Sequence, residues 1–313
     1  MTTTPPLQTA SEAWPPLPLE AWEDTRATLH LWTQMIGKTR LGLSPAENHY
    51  WHVASYVTSR GLTTSPIPHR GRTFEIEFDF IDHELIARTS NGGGKRIRLE
   101  PHPVAEFFDR YRAMLRSLDI EVKIYPRPSE IPDAVPFTQD RVHSSYDPDA
   151  AHRFWRVLTR VDAVLKRFRG GFLGKSSPVH FWWGAMDLSH TRFSGRPAPM
   201  HPGGFPNLPD HVTRESYSHE CMSVGWWPGG GPTPIREPSF YAYAYPEPVG
   251  CPDARVSPNG ARYDLEMHEW LLPYEVVRRS SDPERALLEF AQSTYEAVAT
   301  LGRWDRATLE RNV

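Results

Sequence analysis

The chain has 313 residues and carries 35 basic against 38 acidic side chains, a formal charge of -3 that supplies no field to steer it onto nucleic acid. With 39% hydrophobic and 23% charged residues it reads as an ordinary soluble globular protein, long enough for one large domain or two medium ones. The start, MTTTPPLQTA, lacks the charged and apolar segments of a secretory signal, and no window approaches the roughly 18 apolar residues that span a bilayer. Only Cys221 and Cys251 are present, which argues against a disulfide framework. A cytoplasmic protein with neither membrane nor nucleic-acid partners is expected.

Residues 1–18 read as a flexible Pro-rich arm whose Trp14 and Leu17 can dock onto the body. Apolar residues at Trp22, Leu29, Trp32 and Ile36 have helical spacing, and Gly37 can end that helix. WHVASYVT (51–58) is strand-like. FEIEFDFID (74–82) alternates Phe74, Ile76, Phe78 and Phe80 against Glu75, Glu77 and Asp79, the period of a half-solvated antiparallel strand. ELIARTS (84–90) is its expected partner, and RIRLE follows after a glycine turn. A helix over about 103–118 and a strand over 121–126 complete a first αβ half, 19–126.

Prolines then crowd a connection, 127–146. The second half, 147–313, opens with Asp147 and Pro148 as N-cap and first turn of a helix running to Gly170. Strands are expected over 180–187, 220–227, 239–246 and 268–277, before a last helix that begins at Asp282 and Pro283. Both halves read as helix, antiparallel strands, helix, so the expected class is α+β, one compact unit of two pseudo-repeated halves.

Short motifs recur between the halves. Ser44-Pro45 matches Ser177-Pro178, and His49-Tyr50-Trp51-His52 matches His180-Phe181-Trp182-Trp183. Arg60 and Arg192 follow, then His69 and His201. Duplication of an αβ unit would place related His/Arg/His sets in each half; the same motif also suits a shared way of entering a strand.

Candidate chemistry concentrates between Ser177 and Gly231, where His180, His190, His201, His211 and His219 lie among Trp182, Trp183, Trp226 and Trp227. His180 or His219, oriented by Asp187 or Glu220, suits acid/base work near neutral pH, with Arg192 and Arg196 positioned to bind an acidic group and Trp182 and Trp226 as walls. A divalent metal on His180, His201 and His219 is a further reading, without any local ligand signature such as His-Glu-x-x-His. Strand alternation would put His180 on the side opposite Asp187. Cys221 is a conceivable nucleophile, although an unpaired cysteine is more often a packing residue. GFLGKSS (171–177) lacks the spacing of a phosphate loop.

The segments WPPLPLEAWEDTRATLHLWTQ, NHYWHV, RGLTTSPIP, FEIEFDFIDH, SPVHFWWGAMDLSHTRFSGR, HPGG, YSHE and WPGGGP together resemble a bacterial family known as a domain of unknown function, DUF5996, from Trp14 to about Trp304. The resemblance implies one unit of this length and carries no activity, cofactor or catalytic residue with it. Two readings of function therefore rest on the residues alone: a small-molecule enzyme with a His/Asp/Glu/Arg pocket, and a non-catalytic ligand-binding or scaffold protein.

Overall fold

The computed structural model describes residues 13–231 and 235–311. Its architecture is α+β, with two antiparallel six-stranded sheets. The first sheet contains β1 (Tyr56–Val57), β2 (Gly61–Thr63), β3 (Ile67–His69), β4 (Arg72–Asp79), β5 (Glu84–Thr89) and β6 (Gly94–Arg98). Its order is β1-β2-β4-β5-β6, with β3 also pairing with β4. The second contains β7 (His180–Trp182), β8 (Asp187–Pro197), β9 (His219–Trp227), β10 (Ser239–Tyr245), β11 (Arg262–Asp264) and β12 (Glu269–Pro273), in the order β11-β12-β10-β9-β8-β7.

The sheets meet edge to edge at an antiparallel bridge, Ser55 with Phe181, whose two N–H groups donate to each other's carbonyls at 3.0 and 2.8 Å. Helix α1 (Glu23–Leu43) and helix α2 (Val104–Ser117) accompany the first sheet; α3 (Pro148–Gly170), α4 (Asp210–Ser216), α5 (Tyr274–Arg278), α6 (Pro283–Leu301) and α7 (Arg306–Leu309) belong to the second half. One continuous apolar core runs through both halves. Phe154 of α3 lies over the seam, its ring near those of Phe80 just past β4, Phe181 on β7 and Trp226 on β9.

Local signals explain much of this. Asp147 caps α3 by accepting from the N–H groups of Asp149 and Ala150, and Asp282 caps α6 through Arg285 N–H, each with proline in the first turn. β4 pairs with β5 as expected, but its outer side is not solvated throughout: Glu77 and Asp79 are buried and pair with Arg88 and Arg60. Trp14 and Leu17 are buried, so the described end of the Pro-rich arm is docked; residues 1–12 of that arm lie outside the described residues.

Four expectations are corrected. Gly37 does not end α1: a Cβ there would overlap the Trp183 ring, so glycine serves close packing inside a helix that runs on to Leu43. The strand expected over 121–126 is absent, because the Glu121 N–H is turned to the His69 imidazole and the segment finds no strand edge to pair with. The strand expected over 268–277 ends at Pro273 and becomes α5. The segment expected as strand 51–58 is a 3-10 turn through Val53, followed by the short β1.

The motif correspondence between the halves does not carry over to the backbone. His49 and Tyr50 sit in left-handed conformations within the 3-10 turn, whereas His180–Trp182 is a strand. Arg60 pairs with Asp79 and Asp82 at the surface, whereas Arg192 is buried.

Candidate functional site

The expected single strand 180–187 is a tight hairpin. Residues 183–186 turn the chain, with Met186 left-handed at φ 65 and its N–H donating to Trp182 O. The register pairs Trp182 with Asp187 and His180 with Ser189. The turn thus reverses the expected geometry, since directly opposed residues share a face: His180 and Asp187 lie on the same side of the sheet.

That side is turned away from α3. Through the β8–β9–β10 register it also carries Thr191, Phe193, Ser223, Tyr241 and Tyr243. Glu269 follows on β12, two residues from Leu271, the partner of Tyr241. The opposite side presents Leu188, His190, Arg192, Val224 and Trp226 to the helices.

At one end of the outer face, Tyr241 donates to the Asp187 carboxylate. Tyr243 and Tyr217 share a hydrogen bond at 2.6 Å, and Thr191 and Ser223 another at 2.6 Å. Trp182 donates to Ser189 Oγ and Trp227 to Ala185 O, which fixes both indoles beside the turn. Helix α1 adds the rest. His30 contacts the carbonyls of Trp183 and Gly184, while Gln34 donates to Ser129 O and accepts from Ser129 N–H. Ser129 is held on both sides, and the next residue, Glu130, whose N–H donates to Pro206 O, stands at φ 61 with its carboxylate over Gly184. Lys38 donates to Ser129 Oγ and lies over the Trp183 ring.

The Asp187 charge acts on both Glu130 and Glu269. Burial raises Asp187 to about 6, against the Tyr241 hydrogen bond that favours its charged form. Burial and then the Asp187 charge raise Glu130 to about 7, with Lys38 opposing. Burial, Asp187 and Asp264 raise Glu269 to about 8. Burial lowers Lys38 to about 8. Groups that change protonation near neutral pH are what proton transfer requires.

At the other end of the same face stand His180, His49, His219 and Lys175. His180 is fully buried, with its ring near Trp51, Tyr56 and Trp182, and neither nitrogen has a hydrogen-bond partner among the described residues. Burial, with Arg40 and Arg169 near, drives it down to about 3. Burial thus favours its neutral form.

Of the residues singled out by sequence, His180, Trp182, Asp187, His201 and His219 belong to this outer side, and four others do not. Arg192 is buried under the rings of Phe168, Phe172 and Tyr295 and donates to Phe168 O. Trp226 is wholly inside the core. Glu220 and Arg196 pair with each other at the surface, where Arg196 also donates to Gly302 O at the end of α6. Alternation along β9 explains the separation of Glu220 from His219.

His201 stacks on Tyr217 with ring centroids 4.8 Å apart, while His219 lies 5.7 Å from His49. Among the described residues no group of three or more His, Cys, Asp or Glu side chains is placed to hold a metal ion, so His180, His201 and His219 do not form the expected ligand set. Cys221 and Cys251 are free and buried, and burial pushes the Cys221 thiol up to about 12, against a nucleophilic role. Glu130, Lys38 and Glu269 escaped the sequence reading because they come from a Pro-rich loop, a helix and an outer strand distant in the chain. The alternating tyrosines of β10 were the one visible signal.

No helix of the described residues is long and apolar enough to cross a membrane. Comparison with curated proteins and with solved structures gives no significant match. A family model described as a family of unknown function, DUF5996, matches residues 14–311, and the chain belongs to that family.

Proposed function

We propose that the chain is a small-molecule enzyme whose proton-transfer centre comprises Asp187, Glu130 and Tyr241, walled by Trp182 and Trp227. One observation carries this reading: the buried Asp187 carboxylate accepts from Tyr241 while the Glu130 carboxylate packs over the adjoining turn at Gly184, and burial shifts Asp187, Glu130 and Glu269 upward, to about 6, 7 and 8. Asp187, ionised at neutral pH and oriented by Tyr241, is the base. Glu130 and Glu269 keep protons at pH 7 more readily and serve as acids, and Lys38 beside Glu130 limits the accumulated negative charge. Three acids against one amine favour a neutral or cationic substrate. An intracellular setting is supported by the two free cysteines.

The test is turnover of a small-molecule extract at pH 7 by the wild-type chain and by Asp187→Asn and Glu130→Gln, followed by mass spectrometry. Compounds consumed by the wild type and spared by Asp187→Asn are expected. Saturable binding without turnover, equal in all three proteins, would overturn the enzyme reading in favour of a binding protein.

A further inference from the structure

The cluster at the Phe193 end of β8 has a chemistry of its own. Lys175, itself exposed in the connection between α3 and β7, places Nζ 2.7 Å from His49 Nε2. The same ammonium lies 5.6 Å from the Trp51 ring centroid and 5.2 Å from that of Phe193. No carboxylate contributes to its electrostatics among the described residues, and partial burial lowers its pKa.

His49 is oriented from its other side. Its Nδ1 lies 3.0 Å from Ser216 O. A carbonyl oxygen only accepts, so Nδ1 carries the hydrogen and Nε2 is left with the lone pair. Nε2 therefore accepts from the Lys175 ammonium. The backbone holds this arrangement at a cost: His49 and Tyr50 are both left-handed, at φ 59 and 58, in a turn pressed against α4. His219, 5.7 Å from His49, is a second titratable ring at this spot.

An amine with a proton acceptor in contact, two aromatic faces beneath it, no counter-ion among the described residues and an open approach from solvent has the requirements of an imine-forming lysine. We propose that Lys175 condenses with an aldehyde or ketone, with His49 as its proton acceptor. His49 Nε2 takes a proton from the ammonium, and the freed lone pair attacks the carbonyl carbon. The C–N bond forms as the C=O π pair moves to oxygen, which takes the proton back from the imidazolium. The resulting carbinolamine loses its oxygen as water, using a second proton from nitrogen, and leaves a protonated C=N bond over the Trp51 and Phe193 rings. One ammonium and one carbonyl give one iminium and one water. The cluster is separate from the Asp187 centre, and neither assignment depends on the other.

The chain contains only five lysines, Lys38, Lys95, Lys123, Lys166 and Lys175, so labelling can be resolved at each. The experiment treats the full chain with propionaldehyde or benzaldehyde and sodium cyanoborohydride at pH 7, then maps adducts by peptide mass. Lys175 is expected to be alkylated faster than Lys95 and Lys123 by on the order of tenfold or more, and His49→Asn, whose side chain tolerates left-handed backbone, to bring it down to their rate. Equal labelling of Lys175, Lys95 and Lys123 in the wild type would overturn the proposal without recourse to any variant. Preferential labelling unchanged in folded His49→Asn would overturn the role of the imidazole.

Discussion

The Tyr241 hydroxyl crosses strand β9 to donate to Asp187, and it can do so because residue 225, the strand neighbour between them, is glycine: a Cβ there would overlap the Tyr241 phenol. This bond favours the ionised carboxylate and restrains the upward shift that burial imposes. Tyr241→Phe is therefore expected to raise Asp187 above its value of about 6, and Gly225→Ala to do the same by displacing the ring. Carbon-13 NMR titration of the Asp187 carboxyl reads both, and a downward shift in either variant would contradict the relationship.

Stability should depend on pH with a defined sign. A carboxyl whose pKa is raised on folding binds more protons in the native state, so its contribution falls as pH rises from its unfolded toward its folded value. For Glu130 and Glu269 that loss continues to about pH 7 and 8. The buried histidines His30, His180 and His190, lowered to about 4, 3 and 3, act oppositely, but their gain is complete near pH 6.5. Unfolding free energy is expected to drop between pH 6.5 and 8 by on the order of 1–2 kcal/mol after allowance for solvent access. Urea denaturation should show Glu130→Gln/Glu269→Gln with a flatter profile; an unchanged slope would count against the raised carboxyls.

Gln34 makes two hydrogen bonds to the backbone of Ser129, at 3.0 and 2.8 Å, from inside a buried helix. Gln34→Ala strands a buried N–H and a carbonyl, which should cost about 1–3 kcal/mol for each group left unpaired. Because the clamp also holds Glu130 against Gly184, loosening it should return the Glu130 pKa toward the ordinary carboxylate value. A destabilised variant whose Glu130 still titrates near 7 would separate stability from site geometry.

Phe154 joins the two sheets, and its replacement by alanine should cost about 3–5 kcal/mol. Since one core runs through both halves, the wild type is expected to unfold in a single transition by both tryptophan fluorescence and circular dichroism. Two separated transitions would mean that the seam couples the halves weakly.

Much of the secondary structure was legible because its causes are local. Asp147-Pro148 and Asp282-Pro283 cap their helices through neighbouring N–H groups, and the Phe74 to Phe80 alternation needs only one apolar and one polar side. The site was less legible, because its decisive features are long-range. Four turn residues put His180 and Asp187 on one side of the sheet, whereas simple alternation puts them on opposite sides. Gly37 looks like a helix end in sequence, and only the Trp183 ring against it explains why the helix continues. Composition and periodicity alone indicated an α+β chain, its four longest helices and strands such as β4, β5, β9 and β10, whereas β2, β3, β8, β11 and the short helices α4, α5 and α7 were not anticipated. Tertiary structure decided that the Asp187 charge acts on Glu130 and Glu269 and that Lys38 lies near Glu130, while Arg192 and Trp226 face the core, because a side chain's neighbours are set by strand register and helix packing between segments far apart in the chain.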